Sequence, residues 1–580
     1  MVGKILRVNM RELTVRYEDL PDKYLLLGGR ALTSALVADE VPPGAHALGE
    51  NNKLVIAPGL LSGTTAPCSG RLSVGAKSPL TGTIKESNAG GITAQKVACL
   101  GIRAIVVEGR PAGEGFHLLV VGEDEAKLVP AGDLTGMGCY QLNEELWKRY
   151  GTKSGVISLG PAGEMRMVVA GVSTNDGEGH PGRYAGRGGL GAVMGSKGLK
   201  AIVVRTDKAF EVPVKNREAF KEAARKFAKA IAEHPVTNAA LPAYGTAVLI
   251  NILNEAGGLP TRNFSDGRFE AAALCSGEAL AETVQKRGGK GRTGHVCHPG
   301  CLIRCSNIFA DEKGEAVCAP VEYESAWALG PNCGISNLDH IAVLNRLCND
   351  VGLDTIETGV TLGVLMEAGV LAFGDGEAAI DLLDREVRNG TPLGRILGGG
   401  AEAAGKLFGL TRVPTVKGQG MPAYDPRAVK GIGVTYATST MGADHTAGYS
   451  VASNILKVGG FVDPLSPAGQ VDLSRNLQIA TAAVDATGLC LFTAFPLLDL
   501  DYALPSVVDM LNAQYGVNLT VDDVVDYGKE ILKTERAFNR AAGFTEAHNR
   551  LPEFMRHEKL APHGVTFDVP DEKLDEVFNF

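Results

Sequence analysis

No block of Lys or Arg runs through this 580-residue chain, whose formal net charge is -9 at pH 7. That shortage argues against nucleic acid as a partner, because holding a polyanion takes clustered cations. The start, MVGKILRVNM, lacks the apolar core that a secretory leader needs. An uninterrupted membrane-length run is missing too. The longest apolar stretch, TGVTLGVLMEAGVLAFG, holds Glu367 and interior glycines and reads as a buried helix rather than a membrane span. A cytoplasmic protein is expected, in which thiols stay reduced. There is no repeat with a period of roughly 20–50 residues and no low-complexity segment.

What is present is a globular composition, 45% hydrophobic and 21% charged, in a chain long enough for about two to four domains. The 74 glycines exceed the usual share of roughly 7%, so many tight turns or close backbone approaches are expected. Up to about residue 205 the pattern is short β-type runs between glycine-rich turns. KLVIAPG, RLSVGAK, AIVVEG, HLLVVG, SGVISLG, MVVAGV and AIVVRTD are the clearest strands, and ALTSALVAD and TAQKVACL the clearest helices. From NREAFKEAARKFAKAIAEH onward, amphipathic helical periodicity dominates. The expected fold is α+β: a β-rich domain over 1–208, then two mainly helical domains over 209–415 and 416–580.

The chain has eleven cysteines. Cys68, Cys99, Cys139, Cys275, Cys318, Cys333 and Cys348 are scattered and read, nearly all, as small core residues. The exception is HVCHPGCLIRC, where Cys297, Cys301 and Cys305 stand as C-x3-C-x3-C in a Pro/Gly-rich loop. Zinc would want four N/S ligands, and His295 or His298 could complete the set. An iron–sulfur cluster would want a fourth cysteine, with Cys318, Cys333, Cys348 and Cys490 as candidates. Spacing alone leaves both open. Cys490 sits in DATGLCLF, which matches NDVGLDTI: Asp485-x-x-Gly488-Leu489-Cys490 against Asn349-x-x-Gly352-Leu353-Asp354. Each follows a helical run, so each glycine is expected to end a helix in a left-handed turn, and the pair suggests two related binding sites.

AGRGGLGAVMGSKGLKAIVVRTD imitates a dinucleotide fingerprint at Gly186, Gly188 and Gly191, with Asp207 after a following strand. The preceding STNDGEGHPGRY is polar and turn-rich, whereas the fingerprint needs a strand running into its first glycine. The nicotinamide reading is therefore set aside. Arg183, Arg187 and the glycines still suit an anion.

Taken together, KSPLTGTIKESNAGG, AGRGGLGAVMGSKGLKAI, YGTAVLINILNEAGGLP, VEYESAWALG, GLDTIETG, PAYDPRA and GLCLF resemble, in order, segments of the tungsten-dependent aldehyde ferredoxin oxidoreductases. The resemblance implies tungsten (or molybdenum) on the dithiolenes of two pterins, one [4Fe–4S] cluster, and Mg2+ bridging the pterin phosphates. It makes Cys297, Cys301, Cys305 and Cys490 the cluster ligands. Pterin contacts fall on Arg71, Asn88, Gly90, Arg187, Gly188 and Gly191, on Asn349, Leu353 and Asp354, and on Asp485, Leu489 and Leu491. Backbone oxygens of Asn88 and Gly188 would face the magnesium. Two positions depart from the better-known members: the first cysteine gap is three residues rather than two, and Asn349 replaces an aspartate. An amide oxygen can still accept from a pterin amine, without charge assistance.

The resemblance also assigns Glu324 and His445 to catalysis. His445 would donate to the aldehyde oxygen, and Glu324 would take a proton from the attacking water. The implied activity is oxidation of aldehydes to carboxylic acids, with electrons leaving singly to ferredoxin, a polyferredoxin-like subunit, or a flavin- or NADH-handling subunit, in an oligomer. The alternative on the same scaffold is the catalytic subunit of a benzoyl-CoA reductase-type tungsten enzyme.

Overall fold

The computed structural model describes residues 3–113 and 115–580. The fold is α+β, with its strands concentrated in the N-terminal part and helices dominating thereafter. Twelve strands form two sheets there. They are β1 (Lys4–Asn9), β2 (Thr14–Asp19), β3 (Leu54–Pro58), β4 (Leu72–Lys77), β5 (Ile84–Ala89), β6 (Ile102–Glu108), β7 (His117–Val121), β8 (Ala126–Pro130), β9 (Gly155–Ser158), β10 (Val172–Thr174), β11 (Arg183–Ala185) and β12 (Leu199–Val204). The first sheet runs β2-β1-β6-β3-β4-β5 and the second β11-β10-β9-β12-β7-β8. Among the described residues only β1–β6 and β7–β12 pair in parallel.

Side-chain alternation explains the layering. Leu54 and Ile56 of β3 join Leu119, Ile157, Ile202 and Val204 in a core shared by the two sheets. Val55 and Ala57 point the other way, onto Leu32, Leu36 and Val37 of helix Gly29–Glu40. On the second sheet, Val156, Ala201 and Val203 cover Leu142 and Leu146 of helix Cys139–Tyr150. The central strands of both sheets are thus buried on both faces and read as nearly unbroken hydrophobic runs, while the edge strands β2 and β8 stay largely accessible.

Six of the seven strands named from the sequence form, as do the two early helices. MVVAGV does not: only Val172 belongs to a strand. Its backbone is used otherwise. Ala170 N–H turns back to Met167 O at 2.9 Å, and Ala170 O accepts from Gly191 N at 2.9 Å. The fingerprint region also differs from expectation, since the short strand β11 does lead into Gly186. β11 is antiparallel to β10 at a sheet edge, unlike the parallel βαβ unit that binds dinucleotides.

By contact density the chain forms two compact units. One comprises Met1–Asn238, Val296–Ile303 and Ala480–Gly543; the other comprises Ala239–His295, Arg304–Ile479 and Phe544–Phe580. In the second unit, helix Thr355–Glu367 is buried on nearly every face, as its apolar stretch predicts. Its Glu357 is fully buried and accepts from Ala401 N (3.0 Å) and Gly420 N (2.7 Å). This unit also holds a three-stranded sheet, Arg292–His295, Ser306–Ala310 and Ala316–Cys318, and a two-stranded one that pairs Thr415–Val416 with Gln419–Gly420. Among the described residues no single helix is long and apolar enough to cross a membrane.

Candidate active site and metal centre

The segment Val296–Ile303 belongs to the first unit, and Cys305 to the second. Backbone hydrogen bonds tie that segment to the β-rich domain. Gly91 N donates to Cys297 O (3.2 Å) and Cys68 N to Gly300 O (2.9 Å). The turn carrying the last cysteine is tied in as well: Cys490 N donates to Cys68 O (2.8 Å), and Arg71 N to Gly488 O (3.0 Å). The ligand atoms of Cys297, His298 and Cys301 lie within 4.8 Å of one another, all buried. His298 Nδ1 donates to Pro299 O at 2.9 Å. Burial holds its pKa down at about 4, so the ring is neutral, and its buried Nε2 has no hydrogen-bond partner among the described residues.

Burial and mutual hydrogen bonding keep these thiols protonated. The Cys297 pKa is pushed well above the ordinary thiol range by its hydrogen bond with Cys301 and by burial. For Cys301, the bond with Cys297 lowers the pKa, but the bond with Cys68 and burial outweigh it and push it up to about 12. Thiolates become stable here only when a metal supplies positive charge. Soft sulfur donors packed this closely fit an iron–sulfur cluster or zinc.

Of the expected pterin residues of the β-rich domain, Arg71 and Gly90 stand beside Cys297. Arg71, just before β4, donates through Nε to Asn88 Oδ1 and through Nη2 to Asn88 O at 3.3 Å. Asn88 Nδ2 is buried with no partner among the described residues, a donor left for a ligand. A Cβ on Gly90 would stand 3.2 Å from Arg71 Nη1 and 3.6 Å from Cys297 Sγ, so a larger residue there would fill the space between guanidinium and thiol. The fingerprint glycines have a packing reason. A Cβ on Gly188 would lie 2.5 Å from Lys85 Cγ, and one on Gly191 would lie 2.2 Å from Gly171 O. Arg187 N donates to Ser87 Oγ at 3.3 Å, and Gly188 O accepts from Ser78 Oγ at 2.7 Å.

The two matched motifs end their helices as the sequence predicts. Helix Leu338–Val351 stops at Gly352 (φ 89°) and helix Gln470–Thr487 at Gly488 (φ 82°). In the first, Asn349, Leu353 and Asp354 are buried. Asp354 also caps the next helix by accepting from Ile356 N at 3.0 Å, a structural task the motif reading did not foresee. In the second, Leu489 is buried and Leu491 half-buried, opening the turn Leu491–Thr493. Asp485 lies 3.4 Å from the buried Arg30 guanidinium. Burial and the Glu86 charge push the Asp485 pKa up to about 8 against the pull of Arg30. A carboxyl raised in the folded state contributes stability that is complete below its ordinary range and lost as pH rises through the folded value. In cofactor-free protein, Asp485→Asn is expected to remove part of the stability loss between about pH 4 and pH 8, a slope of up to about 1.4 kcal/mol per pH unit. Parallel unfolding curves at several pH values test this; identical slopes for parent and variant would refute it.

In the second unit, Glu324 opens the short helix Tyr323–Ala328. Its Oε2 accepts from Ala423 N at 3.0 Å, and its Oε1 is 3.4 Å from His445 Nε2. The pair foreseen in the sequence is therefore brought together. Aromatic rings that sequence reasoning passed over surround it. Tyr323 Oη donates to Ala423 O (2.7 Å), Tyr424 and Tyr449 share a hydroxyl–hydroxyl bond of 3.0 Å, and both rings flank His445 with centroids 6.2 and 6.4 Å away. Tyr424 lies inside PAYDPRA, so a signal existed, though nothing local marked it as facing a histidine. Burial raises the pKa of Tyr424 and Tyr449 well above the ordinary range, which keeps both hydroxyls protonated and able to donate.

Residues 5–206 match the N-terminal domain of aldehyde ferredoxin oxidoreductase, and residues 222–579 match its domains 2 and 3. The tungsten-containing aldehyde ferredoxin oxidoreductase of Pyrococcus horikoshii is 38% identical, covering 99% of this chain and 98% of the relative. That of Thermococcus kodakarensis is 36% identical over 97% of this chain and 92% of the relative. Among solved structures, the active-site complex BamBC of benzoyl coenzyme A reductase with 1,5-dienoyl-CoA superposes with a TM-score of 0.82. It covers 99% of this chain and 93% of that one at 20% identity, a likeness of fold. With both family profiles matched in order and near-full-length identity above a third, the chain belongs to the aldehyde ferredoxin oxidoreductase family.

Proposed function

We propose that this protein oxidises aldehydes to carboxylic acids on a tungsten–bis-pterin centre and passes the electrons singly, through a [4Fe–4S] cluster, to ferredoxin or a polyferredoxin-like subunit. The observation that carries this reading is the 38% identity over 99% of the chain to a tungsten-containing aldehyde ferredoxin oxidoreductase. The buried, protonated thiol group and the orphaned Asn88 amide support it. In this reading 1–208 carries the pterins, 209–415 supplies three cluster cysteines and the first pterin motif, and 416–580 supplies the second motif and Cys490. Arg71, Asn88, Arg187 and the backbone at Gly90, Gly188 and Gly191 would hold the pterins. Cys297, Cys301, Cys305 and Cys490 would hold the cluster, and Mg2+ would bridge the pterin phosphates.

When bound, the tungsten–pterin group accepts the electron pair removed from the aldehyde carbon. The chain's own groups handle protons and orientation. His445 donates to the aldehyde oxygen, where negative charge grows as water adds to carbon. Glu324 takes the proton that the attacking water loses. The sum, aldehyde plus water giving acid, two protons and two electrons, leaves a proton for each electron released. The aromatic rings of Tyr424 and Tyr449 flank His445 and limit where water can stand. The benzoyl-CoA reductase likeness rests on fold at 20% identity, so thioester reduction is not the reading advanced.

Elemental analysis of anaerobically purified protein is expected to give about one tungsten and four irons per chain, and an aldehyde screen with a viologen acceptor to give turnover. Zinc without tungsten, molybdenum or iron, from cells supplied with all of them, would overturn the proposal.

A further inference from the structure

We propose that Gln419 is a positioning residue for aldehyde oxidation: its side-chain amide holds the chain at Ala443, just before His445, and so sets where that imidazole stands relative to Glu324. The inference rests on the roles given above to Glu324 and His445. Gln419 stands in TVKGQG, shortly before the PAYDPRA segment.

The hairpin that carries it is a firm base. Val416 pairs with Gln419 across a two-residue turn, and both turn residues, Lys417 and Gly418, take positive φ (51° and 80°), as a tight hairpin turn requires. Gly420 N donates to the fully buried Glu357 at 2.7 Å. A Cβ on Gly420 would stand 3.0 Å from Val360 Cγ1, so the strand lies close against helix Thr355–Glu367. From this base two bonds reach the catalytic pair. Ala423 N donates to Glu324 Oε2 at 3.0 Å, and Gln419 Nε2 donates to Ala443 O at 2.6 Å. Lys417 Nζ adds a third hold, on Ala437 O at 2.8 Å, near the end of helix Lys430–Thr438. Past Ala443 the chain is pinned again, since Asp444 Oδ1 accepts from Thr446 N at 3.2 Å. A shift at Ala443 is therefore passed to His445, whose Nε2 is 3.4 Å from Glu324 Oε1.

Packing alone does not account for an amide here. Gln419 is fully buried, and its Oε1 has no hydrogen-bond partner among the described residues. A buried, unpaired acceptor is unfavourable, and a leucine of similar size would avoid it. What the amide supplies is a donor for a carbonyl. Its orientation is fixed, because an oxygen turned towards Ala443 O would repel it. Water and aldehyde must meet between Glu324 and His445 in one geometry, and misplacement by about 1 Å can lower a rate about 10²-fold.

The test measures kcat, KM, tungsten and iron in the parent, Gln419→Leu, Gln419→Asn, His445→Asn and the double variant Gln419→Leu with His445→Asn. Leucine has no donor, and the asparagine amide falls a methylene short of Ala443 O. Both Gln419 variants are expected to keep parental metal content and a KM within about twofold, while kcat per tungsten falls about 10- to 100-fold. In the His445→Asn background, Gln419→Leu should lower kcat by less than about threefold more, because residues that act as a unit are not additive. Parental kcat per tungsten in Gln419→Leu, or in Gln419→Asn where the leucine variant does not fold, overturns the proposal. So does a fully multiplied loss in the double variant, which would show Gln419 acting without His445. Loss of tungsten or iron in both Gln419 variants also overturns it, by making the residue part of the scaffold. A parent that lacks the metals, or holds them without turning over any aldehyde, fails the underlying reading and takes this one with it, a result distinct from the others.

Discussion

Glu324→Gln is expected to lower kcat for aldehyde oxidation by about 10²- to 10⁴-fold, the span usual for loss of a general base, while tungsten and iron contents stay at parental levels. The substitution is close to isosteric, so the fold should tolerate it. Ala423 N–H, 3.0 Å from Oε2, still finds an amide oxygen. On the other side, an amide N–H can face His445 Nε2, 3.4 Å from Oε1 in the parent. What disappears is the site that takes the proton from water. Because that interaction exists only as water attacks, kcat and kcat/KM should fall together, with KM little changed. A rise in KM alone would make Glu324 a substrate-binding group, and full activity would remove it from the mechanism. His445→Asn tests its partner in the same assay. Losing the donor to the developing oxyanion is expected to cost about 10²–10³ in kcat, again at constant metal content.

The local parts of this site were legible before the fold was known. Gly352 and Gly488 could be read as left-handed helix ends because a C-terminal glycine after a helical run is determined within a few residues. The strand that follows Arg71 was equally local, being a short β-rich run between turns, whereas the strand carrying Asn88 was not singled out. MVVAGV failed for a physical reason: its pattern is that of a strand, but its Ala170 carbonyl is taken by Gly191 N–H of the glycine turn 189–191 packed against it. The edge strand Arg183–Ala185 escaped notice because three residues carry no period. Cys68 is a buried thiol, as the sequence reads it. Its burial was foreseeable, yet its neighbours come from two distant segments. The tyrosines around His445 stand on separate loops, so only the assembled second unit shows them facing one another.

Removing the Arg30 guanidinium should destabilise the protein by about 3–5 kcal/mol, the cost usual when one member of a buried ionic group is deleted. Arg30 is 2% exposed and Glu535 fully buried. The two meet in a bidentate pair of 2.9 and 2.8 Å, with Ser34 Oγ donating to the same carboxylate at 2.9 Å. Helix Val521–Ala541 brings Glu535, and its start is fixed by a Thr520–Asp523 capping box. Asp485 stands 3.4 Å from the same guanidinium, and burial raises the Glu86 pKa while the Arg30 charge opposes that rise. Arg30→Met therefore strips a cation shared by three acids, whereas Glu535→Gln removes one acid and leaves the cation paired with Asp485. The arginine variant should be the more damaging, and its denaturation midpoint should fall further. Adding Glu535→Leu to Arg30→Met should return part of the loss, because the double variant no longer buries that unpaired carboxylate. Asp485 also belongs to the second pterin motif, so Arg30→Met should bind less pterin even where it folds. If Arg30→Met unfolded within about 1 kcal/mol of the parent, the group would behave as an exposed pair does, and Asp485 would have to be positioned by the tight backbone approach at Gly28 and Gly29 alone.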